Sequence, residues 1–437
     1  MNTRQTLSLL RRFESRNVTF ADPGGGWPIV WDRARGVHVW DAEGRRYLDL
    51  TAAFGVAAAG HSNRLVAAAA SRQADRLLHA MGDVHPHPLK AALARELSRI
   101  TFESWTRGLR QRLHAKTIFC NSGFEAVEAG LKTALLATGR KGLIAFHGAY
   151  HGLGYGTLNV TAREHFRGPF RPQLREFAEF HPFPVASATP AELRRLEQRL
   201  ASSLRTGRIG AVLVEPVQAR GGIRIPPADF LPRLRRLCTR HGALLILDEI
   251  YTGFGRTGRW FACEHSGTVP DLVCLGKALT GGFPLSACVG RSDLMDAAWP
   301  ASTGEAIHTS TYLGHPVGCA MALAQISEIR KHRLCQRSAR LGDELIAALR
   351  RLRTPGFQLE ARGLGLMAGL EFRTPAGAPA GTEVFRVVRD LLRRGFILLP
   401  EGEQGEVLSL TPPLTISSAQ LAAAVRAIAA AIAPPTP

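Results

Sequence analysis

Ala243-Leu244-Leu245-Ile246-Leu247-Asp248-Glu249-Ile250-Tyr251 runs through five apolar residues and stops on two carboxylates. No polar residue alternates within Ala243–Leu247, so the run predicts a strand buried on both faces, as in a parallel sheet covered by helices. The flanks repeat the theme. Upstream, residues 230–241 predict a helix with Asp229 as its N-cap, preceded by the apolar run Ala211–Val214. Downstream lies Leu272–Leu275. Nearer the N-terminus come Thr117–Cys120, a helical stretch over 124–136 (Phe124, Val127, Leu131 and Leu135 at helical spacing) and Leu143–Phe146. Strands without alternation, separated by helices, imply an α/β fold around a large central, mostly parallel sheet.

The ends of the chain read differently. Residues 1–60 are mixed, with a loop at Asp22-Pro23-Gly24-Gly25-Gly26 and strand-like pieces such as Val37–Trp40. Beyond Gln325 the chain is helix-rich, with helices expected over 328–353 and 383–394 around shorter strands. The expected organisation is a large α/β domain over 61–322 and a smaller α+β domain built from both chain ends, 1–60 and 323–437. No internal repeat is visible. A chain of 437 residues at about 150 per domain suits two or three domains, and it needs neither disulfides nor metal to fold.

Composition removes several classes of function. No uncharged apolar run of about 18 residues exists, so no membrane span is expected. The apolar tail 421–434 is interrupted by Arg426 and closes on prolines, which reads as a terminal helix with one buried face. Met1–Phe13 carries three arginines around a short apolar stretch and is a poor signal peptide. Seven scattered cysteines with no C-x-x-C pair point to reduced thiols in a cytoplasmic protein. The net charge of +19 suggests a polyanion partner when taken alone. However, the arginines spread along the whole chain and only six lysines occur, which reads as compositional habit, and no nucleic-acid partner is expected.

In an open parallel sheet, ligands sit beyond the carboxyl ends of the strands, so the residues following each apolar run are the candidates. Asn121-Ser122-Gly123-Phe124-Glu125 is a small turn into a helix, whose free N–H groups suit a phosphate; the plainer alternative is Ser122 as an N-cap. In Gly148-Ala149-Tyr150-His151-Gly152, glycines let a flat ligand approach while Tyr150 stacks on it; otherwise the stretch is an ordinary glycine-rich turn. His147 and His151 lie four apart, but no third ligand is evident and no metal site is expected. Glu215 and Gln218 follow one strand, and Asp248 and Glu249 another. A carboxylate ending a buried run needs a partner, either a cationic ligand nitrogen or the next turn. Lys277 ends the run Leu272–Leu275 in a sequence poor in lysine. A desolvated lysine becomes nucleophilic towards a carbonyl, unless it snorkels to solvent. Gly253-Phe254-Gly255-Arg256-Thr257-Gly258 matches the dinucleotide pattern, yet Arg259-Trp260-Phe261 opens no long helix and two acids precede the first glycine.

Six blocks occur in order: Asn-Ser-Gly-x-Glu-Ala (121–126), Gly-Ala-Tyr-His-Gly (148–152), Glu-Pro-Val-Gln (215–218), Asp-Glu-Ile-Tyr-Thr-Gly-Phe-Gly-Arg-Thr-Gly (248–258), Leu-Gly-Lys-Ala-Leu-Thr-Gly-Gly-Phe-Pro-Leu (275–285) and His-x-x-Thr-Tyr-x-Gly-x-Pro (308–316). Together they resemble the class III (omega) aminotransferases, pyridoxal 5'-phosphate enzymes of fold type I, over nearly the whole chain. The resemblance implies that Lys277 forms the Schiff base and shuttles the substrate proton, and that Asp248 keeps the pyridine nitrogen protonated. Tyr150 and Ile250 would sandwich the ring, with His151 and Tyr251 also at the cofactor. Ser122, Gly123 and Phe124 would cradle the phosphate. Thr311 would reach the phosphate of a neighbouring subunit, making the active unit a homodimer. Glu215, Gln218 and Ser409 fall at the substrate mouth.

Three departures from the family's pattern stand out. Phe124 replaces a small hydroxylated residue. Tyr251 stands where many members have glutamine near the cofactor's 3'-oxygen. Ser409, three residues before Pro412-Pro413-Leu414, replaces an arginine of members that use 2-oxoglutarate, and residues 398–405 contain no arginine. With that clamp missing, Glu215 loses the partner it has in those members. The expected reaction moves an amino group from an ω-amino acid or amine, such as 4-aminobutyrate, to a 2-oxo acid by a ping-pong route. The alternative is an aminomutase or racemase of the same family.

Overall fold

The computed structural model of the chain describes residues 1–22 and 25–433. Pro23 and Gly24 of the expected loop, and the prolines closing the tail, lie outside the described residues. Near the N-terminus, β1 (Trp31–Arg35), β2 (His38–Asp41) and β3 (Arg46–Asp49) form an antiparallel meander. The central sheet contains β4 (Ala115–Cys120), β5 (Gly142–Phe146), β6 (Ala178–His181), β7 (Ile209–Val214), β8 (Leu244–Asp248), β9 (Leu272–Leu275) and β10 (Ser286–Arg291). Towards the C-terminus come β11 (Gln358–Gly363), β12 (Ala368–Arg373), β13 (Phe396–Ile397), β14 (Leu399–Glu401) and β15 (Val407–Leu410). The short β13 leaves the C-terminal region and pairs in parallel with β3, so both chain ends contribute to one sheet.

The central sheet has the order β4-β10-β9-β8-β7-β5-β6. Its pairs are parallel except where β10 runs against both β9 and β4. Each apolar run serves two cores, because successive side chains leave a strand on opposite faces. Leu245, Leu247, Val212 and Val214 enter one cluster, with Phe146 and Phe230. Ile246, Leu213 and Ala211 enter the other, beneath Ala126, Val127 and Ala129 of the helix Gly123–Thr138.

The five anticipated runs are strands, but β6 and β10 were not anticipated. Ala178–His181 is a half-buried edge strand in which His181 and Glu179 interrupt the apolar signal. Ser286–Arg291 follows a turn so closely that it reads as part of the preceding glycine-rich segment. Asp229 does occupy the N-cap position of the helix Phe230–His241, but its side chain makes no cap bond and instead accepts from Arg233 Nε at 2.7 Å. The helix expected over 328–353 is two helices, Pro316–Lys331 and Leu334–Leu349, broken where Arg333 takes φ +48°. The terminal helix Ser418–Ile432 buries one face, through Leu421, Ala424, Ile428, Ala431 and Ile432. Among the described residues no helix is long and apolar enough to cross a membrane.

The helix Leu334–Leu349 crosses the chain at Gly365 with backbone against backbone, and a Cβ on Gly342 would overlap the Gly365 carbonyl. Rigid main chain on both sides leaves no side chain to yield. Gly342→Ala is therefore expected to cost about 1–3 kcal/mol, as overpacked cores do, measured as a lowered urea midpoint with an unchanged m-value.

Candidate active site

β4, β5, β7, β8 and β9 run in one direction, so the segments after their carboxyl ends gather at one edge of the sheet. There they enclose a cavity of about 400 Å³. Gly123, Phe124, Tyr150, His151, Glu215, Asp248, Ile250, Tyr251 and Lys277, all anticipated, line it together.

Lys277 follows β9 by two residues with φ +42°, a left-handed conformation costing about 1–2 kcal/mol for a residue with a Cβ. Such strain at a cavity wall is kept where the side chain's direction matters. Desolvation pulls the ammonium pKa below its usual value, opposed by Asp248, Glu215 and Glu401. The Nζ lies 4.6 Å from the centroid of the Tyr251 ring, within reach of a cation–π contact.

The two carboxylates ending β8 part company. Asp248 continues the Leu244–Ile246 face, and its Oδ2 lies 2.8 Å from His151 Nδ1, while Oδ1 accepts from the Ile250 N–H at 3.1 Å. An ionised Asp248 makes Nδ1 the protonated ring nitrogen. Glu249 points to the other face and accepts from the N–H groups of Ala262 and Cys263 and from the Thr252 hydroxyl. Of the two carboxylates, Glu249 is thus engaged by the following turn, while Asp248 faces the cavity beside His151. Burial pushes Glu249 up to about 7. Glu215, on the cavity wall, accepts from the Tyr150 and Ala219 N–H groups and is likewise pushed up to about 7 by desolvation. Its partners are backbone donors.

Ser122 occupies the N-cap position of Gly123–Thr138 but makes no cap bond, and its buried hydroxyl has no partner. The first N–H groups of this 16-residue helix point the same way. A Cβ on Gly123 would come within 3.0 Å of Ile250 Cδ1, so only glycine keeps this corner open without displacing Ile250. Phe124 packs against Gly152 and Gly154. His151 Nε2 is also buried without a partner. The arrangement offers an anion site at Ser122, a carboxylate for a cationic nitrogen, an aromatic face at Tyr150 and a lysine amine for a carbonyl. These are the four groups that pyridoxal phosphate requires, so the residues present fit it.

Gln218, Ser409, Thr311 and His147 lie off the cavity wall, and the Tyr251 hydroxyl is turned away from the cavity. Gln218 is buried behind it and donates from Nε2 to the His147 carbonyl at 2.9 Å. The Tyr251 hydroxyl is 3.1 Å from Thr411 Oγ1, so its bond goes to the wall. Ser409 is buried in β15 opposite Gly369 and Leu399. Thr311 is exposed. His147 stacks on Phe180 at 5.9 Å, away from the Asp248–His151 pair. The Gly253–Gly258 loop opens no helix. It buries Arg256, which donates to the carbonyls of Leu366 and Pro412 at 2.8 and 2.6 Å, and is a packing joint rather than a phosphate site. Reading the sequence missed Arg220 and Glu401. The first lines the cavity two residues after Gln218, and the second lies 3.5 Å from it.

Residues 20–432 match the family model "Aminotransferase class-III", and the chain belongs to that family. It is a pyridoxal-phosphate-dependent aminotransferase. The chain is 34% identical to 2-aminoadipate transaminase of Pseudomonas putida over 90% of its own length and 92% of the relative's. It is 35% identical to 5-aminovalerate aminotransferase of Pseudomonas aeruginosa over 90% and 91%. Among solved structures it resembles a PLP-bound amine transaminase from an uncultivated Pseudomonas species, with a TM-score of 0.86, 29% identity and coverage of 96% and 98%.

Two outcomes follow from this geometry. Ser122→Ala removes an unpartnered hydroxyl from the anion site, so the dissociation constant for pyridoxal phosphate should rise about tenfold, as loss of one hydrogen bond to a charged group does. Titration of the apoprotein by absorbance measures it. Glu249, raised from 4.5 to about 7, stabilises the fold fully below pH 4.5 and loses that contribution as pH rises through 7. Glu249→Gln should therefore flatten the fall in urea stability between pH 5 and 7 relative to wild type.

Proposed function

We propose that the enzyme takes the amino group of an ω-amino acid or simple amine, with 4-aminobutyrate-like donors as candidates, and gives it to a 2-oxo acid in two half-reactions. The observation that carries this reading is Ser409, a short uncharged side chain where members using 2-oxoglutarate carry an arginine. Without that fixed clamp, selection for an α-carboxylate on the donor is relaxed. The similarity to a 5-aminovalerate aminotransferase supports it.

Bound pyridoxal phosphate supplies an electron sink for the charge left when the substrate carbon loses its proton. Lys277 would hold the cofactor through its carbonyl group, and its amine would take and return that proton at the substrate carbon. Its lowered pKa suits both duties, because an uncharged amine is needed for each. Asp248 keeps the ring nitrogen protonated, with its carboxylate held in place by His151 Nδ1 and the Ile250 N–H. Tyr150 and Ile250, both on the cavity wall, would hold the two faces of the ring. Ser122, with the N–H groups of Gly123 and Phe124, takes the phosphate. Gln218 steadies the Tyr150 loop through the His147 carbonyl, and Tyr251 backs Lys277. Thr311, exposed in the single chain, suits a homodimer in which it reaches the neighbour's phosphate. Seven free, buried cysteines agree with a reducing cytoplasmic setting.

The test follows the visible spectrum of the holoenzyme through a panel of donors, with pyruvate and 2-oxoglutarate compared as acceptors. 4-Aminobutyrate, diamines or β-amino acids should bleach the yellow form, and Lys277→Ala should transfer at least about 10³-fold more slowly while remaining folded. Ready bleaching by glutamate with a strong preference for 2-oxoglutarate would overturn the substrate reading.

A further inference from the structure

A 2-oxo acid carries a carboxylate, and holding it in a water-poor cavity calls for a planar cationic donor. Ser409 supplies none. Among the described residues, the arginine on the cavity wall is Arg220. Three neighbouring arginines are engaged elsewhere. Arg256 is held by the carbonyls of Leu366 and Pro412, Arg362 by those of Gly222 and Ile223 and by Glu371, and Arg163 by that of Glu403.

Arg220 is placed by its backbone, since the Gly402 N–H donates to its carbonyl at 3.2 Å and ties the loop to the end of β14. Its guanidinium lies 5.5 Å from the Tyr150 ring centroid, and its side chain is 30% exposed. Glu401, the last residue of β14, is 4% exposed and faces it. The pair is incomplete: Nε and Oε2 are 3.5 Å apart, too far for a good hydrogen bond, and both atoms are buried without partners. Register supplies a further observation. Leu399 pairs with Ser409 and Glu401 with Val407, so Glu401 and Ser409 share one face of the β14–β15 ladder. That face presents a carboxylate, and the cation comes from the opposite loop.

We propose that Arg220 binds the carboxylate of the 2-oxo acid, and that Glu401 is the counter-ion which this carboxylate displaces. A substrate carboxylate meeting the guanidinium fork in a bidentate pair satisfies donors that Glu401 leaves unmatched. When a donor without a carboxylate occupies the cavity, Glu401 neutralises Arg220, so one site serves both half-reactions. Burial pushes the Glu401 carboxyl up to about 7, against Arg220, Arg163 and Lys277, and a displaced Glu401 is therefore readily protonated. This inference rests on the proposed use of ω-amino acids or amines with a 2-oxo acid.

The test compares the wild-type holoenzyme with Arg220→Gln and Glu401→Gln. Steady-state kinetics use pyruvate as acceptor and butylamine as donor, and calorimetry measures binding of butanoate, an unreactive carboxylate. Arg220→Gln should raise the KM for pyruvate and the Kd for butanoate by about 10- to 100-fold, the value of a charged hydrogen bond, and should change the KM for butylamine several-fold less. Glu401→Gln should act in the opposite sense and tighten both carboxylates, because it removes their competitor. The proposal is overturned if Arg220→Gln shifts pyruvate and butylamine equally, or leaves butanoate binding within twofold of wild type. It is overturned as well if Glu401→Gln weakens carboxylates, which marks the pair as structural. A wild-type enzyme that takes no ω-amino acid or amine overturns the donor reading instead, and the butanoate measurement still decides the role of Arg220.

Discussion

Lys277 is an ionisable amine brought to the end of a fully buried strand, and much of the surrounding architecture answers that constraint. An unpaired ammonium in such a place would simply lose its proton. Asp248, Glu215 and Glu401 offset part of the desolvation, yet the pKa stays lowered. The three carboxylates come from β8, from the turn after β7 and from β14, so the balance exists only when the central sheet and the C-terminal sheet are both assembled. Folding and the reactivity of one amine are thereby coupled.

The parity of a strand distributes the remaining roles. β8 ends on Asp248 with Glu249 directly after it, and the alternation of the chain sends Asp248 to the cavity with His151 and Glu249 to the opposite face, where backbone donors hold it. A slip of one residue would exchange the chemical and the structural carboxylate. The slip is opposed because it would also invert Leu245 and Leu247, buried in one cluster, and Ile246, buried in the other. Hydrophobic packing on both faces of the sheet is in this sense what aims Asp248 into the cavity.

Charge at the Arg220 end of the cavity is organised by loops from two directions. The loop after β7 supplies Arg220 and the end of β14 supplies Glu401, joined by the Gly402–Arg220 backbone bond. The Gly253–Gly258 loop works alongside as a joint, with Arg256 sunk among carbonyls of the C-terminal segment. It fixes the sheet that carries Glu401 relative to the strands that carry Lys277 and Asp248.

The apolar runs of β4, β5, β7, β8 and β9 were legible because a strand buried on both faces has no polar alternation, and the residues just beyond them contained most of the cavity wall. Lys277 stood out against five other lysines, and Asp248 against the apolar run before it. The half-buried edge strand β6 and the turn-masked β10 lack such a signal, and the break at Arg333 interrupts an otherwise continuous helical pattern through backbone geometry alone. Local spacing also could not separate Asp248 from Glu249, or show that the Tyr251 hydroxyl is bonded to Thr411, 160 residues away. The pairing of Arg220 with Glu401 is separated by 181 positions, and an isolated arginine or glutamate in a chain with 55 basic and 36 acidic residues carries no mark of its partner. The sequence by itself determined five strands of the central sheet, the family and the position of the lysine, because these are written in contiguous residues. The tertiary structure alone decided which charges meet, because electrostatic pairing depends on distance in space.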